Sequence, residues 1–343
     1  MRTYRKRRQS GIQESLLAFL ADRQRLFWFF DDSHFVGVRF PGGSAGIRNR
    51  RTGAEFTASL VAGDLLLQHN GRNIGTEEFD SVALGITDAT LDLQFIGNLT
   101  LTKSTKSGRP EPFILLDFQA DFIARLLGRK HPDGRRVYRR SYFSLARKSG
   151  KSQLMAALGL DLLILDCESK PEIYVGAKSV DQASIIFQQA AEMVRSSAEL
   201  SEVLEILDYK KLITNRATGG LMQSLSSEGG ARHGLNASAI LLDELHVFGA
   251  AEESLYRALT TSQGARRQPL HVTLTTAGHD ANSLCGQEYD YAKRVLKGTI
   301  DAPDFLGVIY ETPADADWTD ESTWPAANPG LGAISHIEEI RSL

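Results

Sequence analysis

Four short stretches hold side chains suited to chemistry on a phosphate or to binding beside it. In "ARKSGKS" (146–152), Gly150-Lys151-Ser152 follows the loop residues Arg147, Lys148 and Ser149. A lysine behind a glycine turn at a helix start reaches β- and γ-phosphates, and the next hydroxyl holds Mg²⁺. The backbone N–H groups of such a loop face the phosphates, and the helix dipole favours them. In "AILLDE" (239–244) an apolar run ends in Asp243, suited to hold Mg²⁺ through water, and Glu244, suited to polarise an attacking water. "LTTAG" (274–278) ends another apolar run in Thr275 and Thr276, hydroxyls placed to sense the γ-phosphate. Gln119 in "LLDFQADF" (115–122) carries an amide able to pair with adenine N6 and N7.

Each stretch has a plain reading as well. A G-K-S triplet arises by chance, a core strand can end in two solvated acids, threonines are common at strand ends, and a glutamine suits a helix start. The phosphate-loop pattern also opens on a glycine, where this chain has Leu145. What favours chemistry is the order of the stretches and the elements around them.

Those elements alternate. From residue 113 onward, "DFQADFIARLLG" reads as a helix closed by Gly128, "SYFSLA" as a strand, and "KSQLMAALGLDLLIL" as a helix. "EIYVGA", "GLMQSLSS", "ASAILLDE", "LHVTLTTA" and "FLGVIYE" read as further strands. Between them "SVDQASIIFQQAAEMVRSS", "EESLYRALTTS" and "LCGQEYDYAKRVLKG" read as helices. The expectation is an α/β fold, a mainly parallel sheet with helices on both faces and its ligand beyond the carboxyl ends of the strands. Residues 1–85 differ, with Gly/Arg-rich turns, strand-like runs such as "ASLVAGDLLLQ" and no visible chemistry. They predict an N-terminal extension of unknown fold before an ATPase domain at 86–343, with "LTKSTKSGRPEP" (101–112) as a polar connector.

The bulk numbers bound the class. At 343 residues, 42% hydrophobic and 24% charged, the chain is an ordinary globular protein of one or two domains. A net charge of −3 excludes a globally basic nucleic-acid coat, although a local basic groove remains compatible with it. Two cysteines, Cys167 and Cys285, form no metal spacing and point to a reducing compartment. The basic N-terminus "MRTYRKRRQSG" precedes an apolar stretch broken by Asp22, Arg23 and Arg25, so no secretion signal or membrane span is expected.

The series "PFILLDFQ", "ARKSGKS", "VGAKSVDQA", "HGLNASAILLDELH", "LTTAG" and "WPAANPGLG" resembles the large terminase subunit of tailed double-stranded DNA bacteriophages, in its ATPase half. The likeness covers about residues 90–340, in order. That family's phosphate loop lacks an obligatory first glycine, which answers for Leu145. The resemblance implies a P-loop NTPase fold of the ASCE/RecA-like kind, with ATP and Mg²⁺ as cofactors. It assigns Lys151 and Ser152 to phosphate and magnesium, and Arg147 to the γ-phosphate. Asp243 becomes the metal carboxylate, Glu244 the catalytic glutamate, Thr275 to Ala277 the coupling segment, and Gln119 the adenine-side glutamine. It further implies viral double-stranded DNA, the small terminase subunit and the procapsid portal protein as partners. The active form would be a homo-oligomeric ring in the host cytoplasm, transiently at the portal.

Such rings take an arginine from a neighbour. Arg232 is the expected donor, with Arg257, Arg266 and Arg267 as rivals. Large terminases continue into a nuclease, and this sequence shows no late aspartate cluster for one. Asp301, Asp304, Asp315, Asp317 and Asp320 read as surface acids, and DNA cleavage is not expected. Two other readings stay open: another P-loop DNA motor, since "DELH" resembles a helicase box, and a degenerate nucleotide-binding scaffold.

Overall fold

The computed structural model describes residues 89–341 except 103–107, 132, 167, 228–233 and 314, together with six strand segments between residues 27 and 74. Those segments are β1 (Phe27–Phe30), β2 (Phe35–Arg39), β3 (Ala45–Asn49), β4 (Glu55–Val61), β5 (Asp64–His69) and β6 (Arg72–Ile74). They pair in sequence order, each antiparallel to the next. The strand-like run at 58–68 falls in β4 and β5. Helix α1 (Thr90–Gly97) follows. Next come the short antiparallel pair β7 (Thr100–Leu101) and β8 (Glu111–Pro112), then α2 (Asp117–Gly128).

An eight-stranded sheet is the frame of the rest. Its strands are β9 (Arg140–Ser144), β10 (Glu172–Ala177), β11 (Leu204–Leu207), β12 (Leu212–Asn215), β13 (Leu221–Ser226), β14 (Ala239–Asp243), β15 (Leu270–Thr275) and β16 (Phe305–Ile309). Their order across the sheet is β11-β12-β13-β10-β14-β15-β9-β16. From β13 to β16 every pair is parallel, while β11 and β12 add an antiparallel edge. The central strands are buried on both faces, as their continuous apolar runs require.

The period-two alternation divides the core. Ile173, Val175, Ala239, Leu241 and Val272 face one side, where they pack with α3 (Lys151–Leu165) and α4 (Val180–Arg195). Tyr174, Ile240 and Leu242 face the other, against α6 (Glu253–Thr261), which follows the short α5 (Ala198–Val203). Helix α7 (Leu284–Leu296) covers Tyr142 and Phe305 on that second side. Every residue of α3 from Leu154 to Leu165 is buried and all but Asp161 are apolar or glycine, which suits a helix packed on all sides. Gly159 lets it sit close to the sheet, since a Cβ there would lie 2.6 Å from Met222 Cε.

The far end of α3 is held by charge. Arg136 and Asp166, their side chains 1% and 3% exposed, pair at 2.6 Å. Gln268 joins them, its Nε2 donating to Asp166 Oδ1 at 2.9 Å and its Oε1 accepting from the Arg136 N–H at 3.1 Å. The clamp ties the end of α3 to the amino ends of β9 and β15. Removing one partner of a buried pair leaves the other charge uncompensated, at a cost of about 3–5 kcal/mol. Asp166→Ala is therefore expected to lower the unfolding free energy by about that amount, read from urea midpoints; a loss under about 1 kcal/mol would show that the clamp is not structural.

Candidate nucleotide site

The turn from β9 to α3 lies beyond the carboxyl edge of the parallel strands. Gly150 caps α3 with φ +72°, a left-handed conformation that glycine adopts without steric cost. A Cβ there would lie 3.2 Å from Gln119 Nε2 and 3.5 Å from Ile334 Cδ1, so both side chains crowd the loop. Arg147 and Lys148 are exposed on the turn, whereas Ser149 and Lys151 are buried. Ser149 Oγ and Lys151 Nζ both donate to Ala146 O at 2.9 Å, which folds the loop on itself.

The carboxylates arrive from β14. Strand β15 separates β14 from β9, so the tip of β15 stands between the two halves of the site. Lys151 Nζ lies 3.9 Å from Glu244 Oε1, and Ser152 Oγ donates to Asp243 Oδ2 at 3.4 Å. Thr276 Oγ1 donates to Glu244 Oε2 at 3.1 Å. The geometry thus gathers Lys151, Ser152, Asp243, Glu244 and Thr276 from three places in the chain. Thr275 Oγ1 donates to Thr276 O at 3.0 Å, accepts from the His246 N–H at 3.2 Å and lies 3.4 Å from His246 Nδ1. Glu244 itself has φ +51° and ψ +48°, an unfavourable backbone for a residue with a Cβ, at about 1–2 kcal/mol.

Burial and charge shape the electrostatics. Burial pushes the Asp243 carboxyl up to about 7, with the nearby Glu244 charge adding to the rise. Burial also lowers Lys151, against the pull of Glu244 and Asp243. Magnesium takes oxygen donors. Asp243 Oδ1 is buried with no hydrogen-bond partner, and the Ser152 hydroxyl stands beside the same carboxylate. An unpartnered carboxylate oxygen next to a hydroxyl fits the ion, whose charge favours the ionised carboxylate that burial opposes.

Gln119 begins α2, where its Oε1 accepts from the Leu116 N–H at 3.0 Å while its Nε2 faces Gly150. The amide is shared between helix cap and loop. Ile334 was invisible to sequence reasoning, because it belongs to the tail after α8 (Trp324–Ala327), which returns to the loop from a distance in sequence. His246 was missed as well. It stands in "DELH", and its Nδ1 lies 3.0 Å from Glu244 Oε2. A cavity of about 1250 Å³ meets the loop at Arg147 and the strand ends at His246 and Thr276, with Tyr289 and Tyr310 among its other walls.

The arginine expectations divide. Arg232 lies outside the described residues. Arg266 donates to Asn236 O and Ser169 O, both at 2.8 Å, and Arg267 to Asp133 O at 3.0 Å. Both are engaged at the amino end of β15, and the Arg266 side chain is only 8% exposed, which leaves it little freedom to reach a neighbouring subunit. Arg257 is exposed on α6 and paired with Glu253 at 2.6 Å. Of the late acids, Asp317 accepts from the Thr319 N–H and Asp320 from the Ser322 N–H, both at 2.9 Å, holding local turns. Among the described residues, no group of three or more His, Cys, Asp or Glu is placed to hold a metal.

A phosphate loop and a strand-end acid pair, separated by one hydroxyl-tipped strand in a parallel sheet, define a P-loop NTPase. The model of the terminase large subunit ATPase domain matches residues 117–294, and the chain belongs to that family. It is 33% identical over 232 residues to the terminase large subunit of Enterobacteria phage HK97, a match spanning 67% of this chain and 44% of the relative. The terminase large subunit of Lactococcus phage p2 is 24% identical over 208 residues, spanning 56% of this chain and 36% of that protein. The crystal structure of the HK97 large terminase superposes with a TM-score of 0.64 at 28% identity, covering 73% of this chain and 50% of that one. The chain thus spans about half the length of these relatives or less.

Gly150→Ala tests the loop. The added methyl meets Gln119 in a backbone state that L-residues resist, so the loop must deform. Binding of a fluorescent ATP analogue is expected to weaken about tenfold or more, the equivalent of ~1.4 kcal/mol. Unchanged affinity in a titration would separate Gly150 from nucleotide binding.

Proposed function

We propose that this chain is the ATP-hydrolysing motor part of a phage DNA-packaging terminase, moving viral double-stranded DNA into the procapsid. The observation that carries the reading is the meeting of Lys151, Ser152, Asp243, Glu244 and Thr276 around one strand-end cleft. Water attacks the γ-phosphate in line, and the protein contributes positioning and charge neutralisation. Lys151 leaves the Ala146 carbonyl for the β- and γ-phosphates, and Arg147 adds a second cation from the turn. The N–H groups of Lys148, Ser149 and Gly150 line the phosphate path. Glu244 orients the water and takes its proton, Thr276 senses the γ-phosphate, and Gln119 faces the adenine side. Mg²⁺, held by Ser152 and Asp243, would supply positive charge to the phosphate oxygens.

Family membership supports the wider assignment. The partners that follow are the small terminase subunit, the portal protein and further copies of this chain in a ring, in the cytoplasm of a bacterial host. A neighbour's arginine would complete each site; Arg257 is accessible for that part, and Arg232 keeps it from the sequence alone. DNA cleavage forms no part of the reading. Among the described residues no helix is long and apolar enough to cross a membrane.

Lys151→Ala is expected to abolish measurable turnover. Glu244→Gln should keep ATP binding while hydrolysing ~10²–10⁴-fold more slowly, the worth of a positioned general base. Both are read from steady-state phosphate release beside equilibrium nucleotide binding. Normal turnover in the lysine variant would remove the phosphate-loop assignment, and normal turnover in the glutamine variant would leave Glu244 a structural acid. Completion of each site by a neighbour also makes specific activity rise with wild-type protein concentration, because a trans arginine is worth ~10³–10⁵ in rate. A concentration-independent rate would count against the ring.

A further inference from the structure

We propose that His246 is a positioning residue for the catalytic carboxylate: its ring holds Glu244 while its backbone N–H holds the end of β15, so that the strand tip with the phosphate-sensing hydroxyl and the water-orienting acid move together. The inference rests on the reading of Glu244 as the group that orients water.

Glu244 follows β14 on a left-handed backbone, and its side chain needs external support to hold one direction. Two groups meet its Oε2, the Thr276 hydroxyl at 3.1 Å and His246 Nδ1 at 3.0 Å. The same Nδ1 lies 3.0 Å from Thr276 Oγ1, so carboxylate, imidazole and hydroxyl form a closed triangle. In the tautomer that carries its proton on Nδ1, the imidazole and the hydroxyl both donate to Oε2. Oε1 is then left on the Lys151 side, where the γ-phosphate and its water belong.

The imidazole is itself fixed from β15. Its backbone N–H donates to Thr275 Oγ1 at 3.2 Å, and Thr275 donates onward to Thr276 O at 3.0 Å. One residue therefore joins the tip of β15 through its backbone and the catalytic carboxylate through its ring. A shift of the tip, as when Thr276 turns to a γ-phosphate, is passed to Glu244. His246 also walls the cavity beside Arg147, which leaves the ring room to follow such a shift. The plain alternative is a packing role in the short turn after β14, where the His246 Cβ approaches Gly278.

Three variants separate the two roles: His246→Ala removes the ring, His246→Asn keeps a donor near the Nδ1 position, and His246→Gln moves that donor one bond away. A misplacement of about 1 Å at a reacting group costs on the order of 10²-fold. The Ala and Gln variants are expected to lose about 10²-fold in kcat. KM and the affinity for a fluorescent ATP analogue should stay within about twofold, and Asn should recover most of the rate. In crystal structures the Glu244 carboxylate should stay on Thr276 in the Asn variant and leave it in the Gln variant.

Unchanged kcat in the Gln variant would overturn the inference. So would a parallel loss of kcat, affinity and Tm in all three variants, which marks packing alone. A wild-type chain that binds ATP without turning it over would instead sink the ATPase reading, and the inference with it. If Glu244→Gln is inactive while all three His246 variants match wild type, only the role of His246 falls.

Discussion

Lys151 is buried beside two carboxylates, and the site depends on that crowding. Its ammonium rests on the loop's own Ala146 carbonyl at 2.9 Å and faces Glu244 at 3.9 Å. Desolvation works against the charges of Lys151 and Asp243, and attraction between opposite charges offsets only part of the cost. Asp243 shows the imbalance, raised to about 7 by burial and by its acidic neighbour. On the proposed function, a polyphosphate with its divalent ion would relieve both sides at once, the anion at the lysine and the cation at the unpartnered Asp243 oxygen.

Such a cluster persists only on a frame that does not yield. The parallel sheet provides it, with its central strands covered on both faces and α3 apolar along its buried length except at Asp161. Helix α3 is fixed at both ends by different physics. Its start is set by a glycine turn, and its end by the Arg136–Asp166–Gln268 clamp at the opposite edge of the sheet. The strand order does the remaining work. With β15 between β9 and β14, a hydroxyl-bearing tip is set beside the lysine and the acids, where it touches Glu244 directly.

Much of this was legible in the residues. Helix α3 and strand β10 fall where the apolar spacing placed them, because each has sharp polar or glycine borders. Lys151, Ser152, Asp243, Glu244 and Thr276 were readable since each sits at a strand end or helix start. Helix α1 was not read, as Ala89 offers no side-chain cap to mark its start. The β11–β12 hairpin was missed because α5 runs into β11 with no turn residue between them, and Lys211, not glycine, takes the left-handed position at its bend. His246 and Ile334 were hidden for a deeper reason. Their importance comes from which strands neighbour each other and where the tail returns, and neither leaves a local pattern.

That returning tail ties four positions into one unit of variation. Gln119, Gly150, Ile334 and Gly330 pack in succession: Gln119 and Ile334 both lie against the loop glycine, and a Cβ on Gly330 would come within 2.9 Å of Ile334 Cγ1. A larger side chain at any of them is tolerated only if another shrinks. Among relatives with this loop geometry, these positions are therefore expected to change in concert. Their joint pattern would mark how tightly the segment after the last strand must close on the nucleotide.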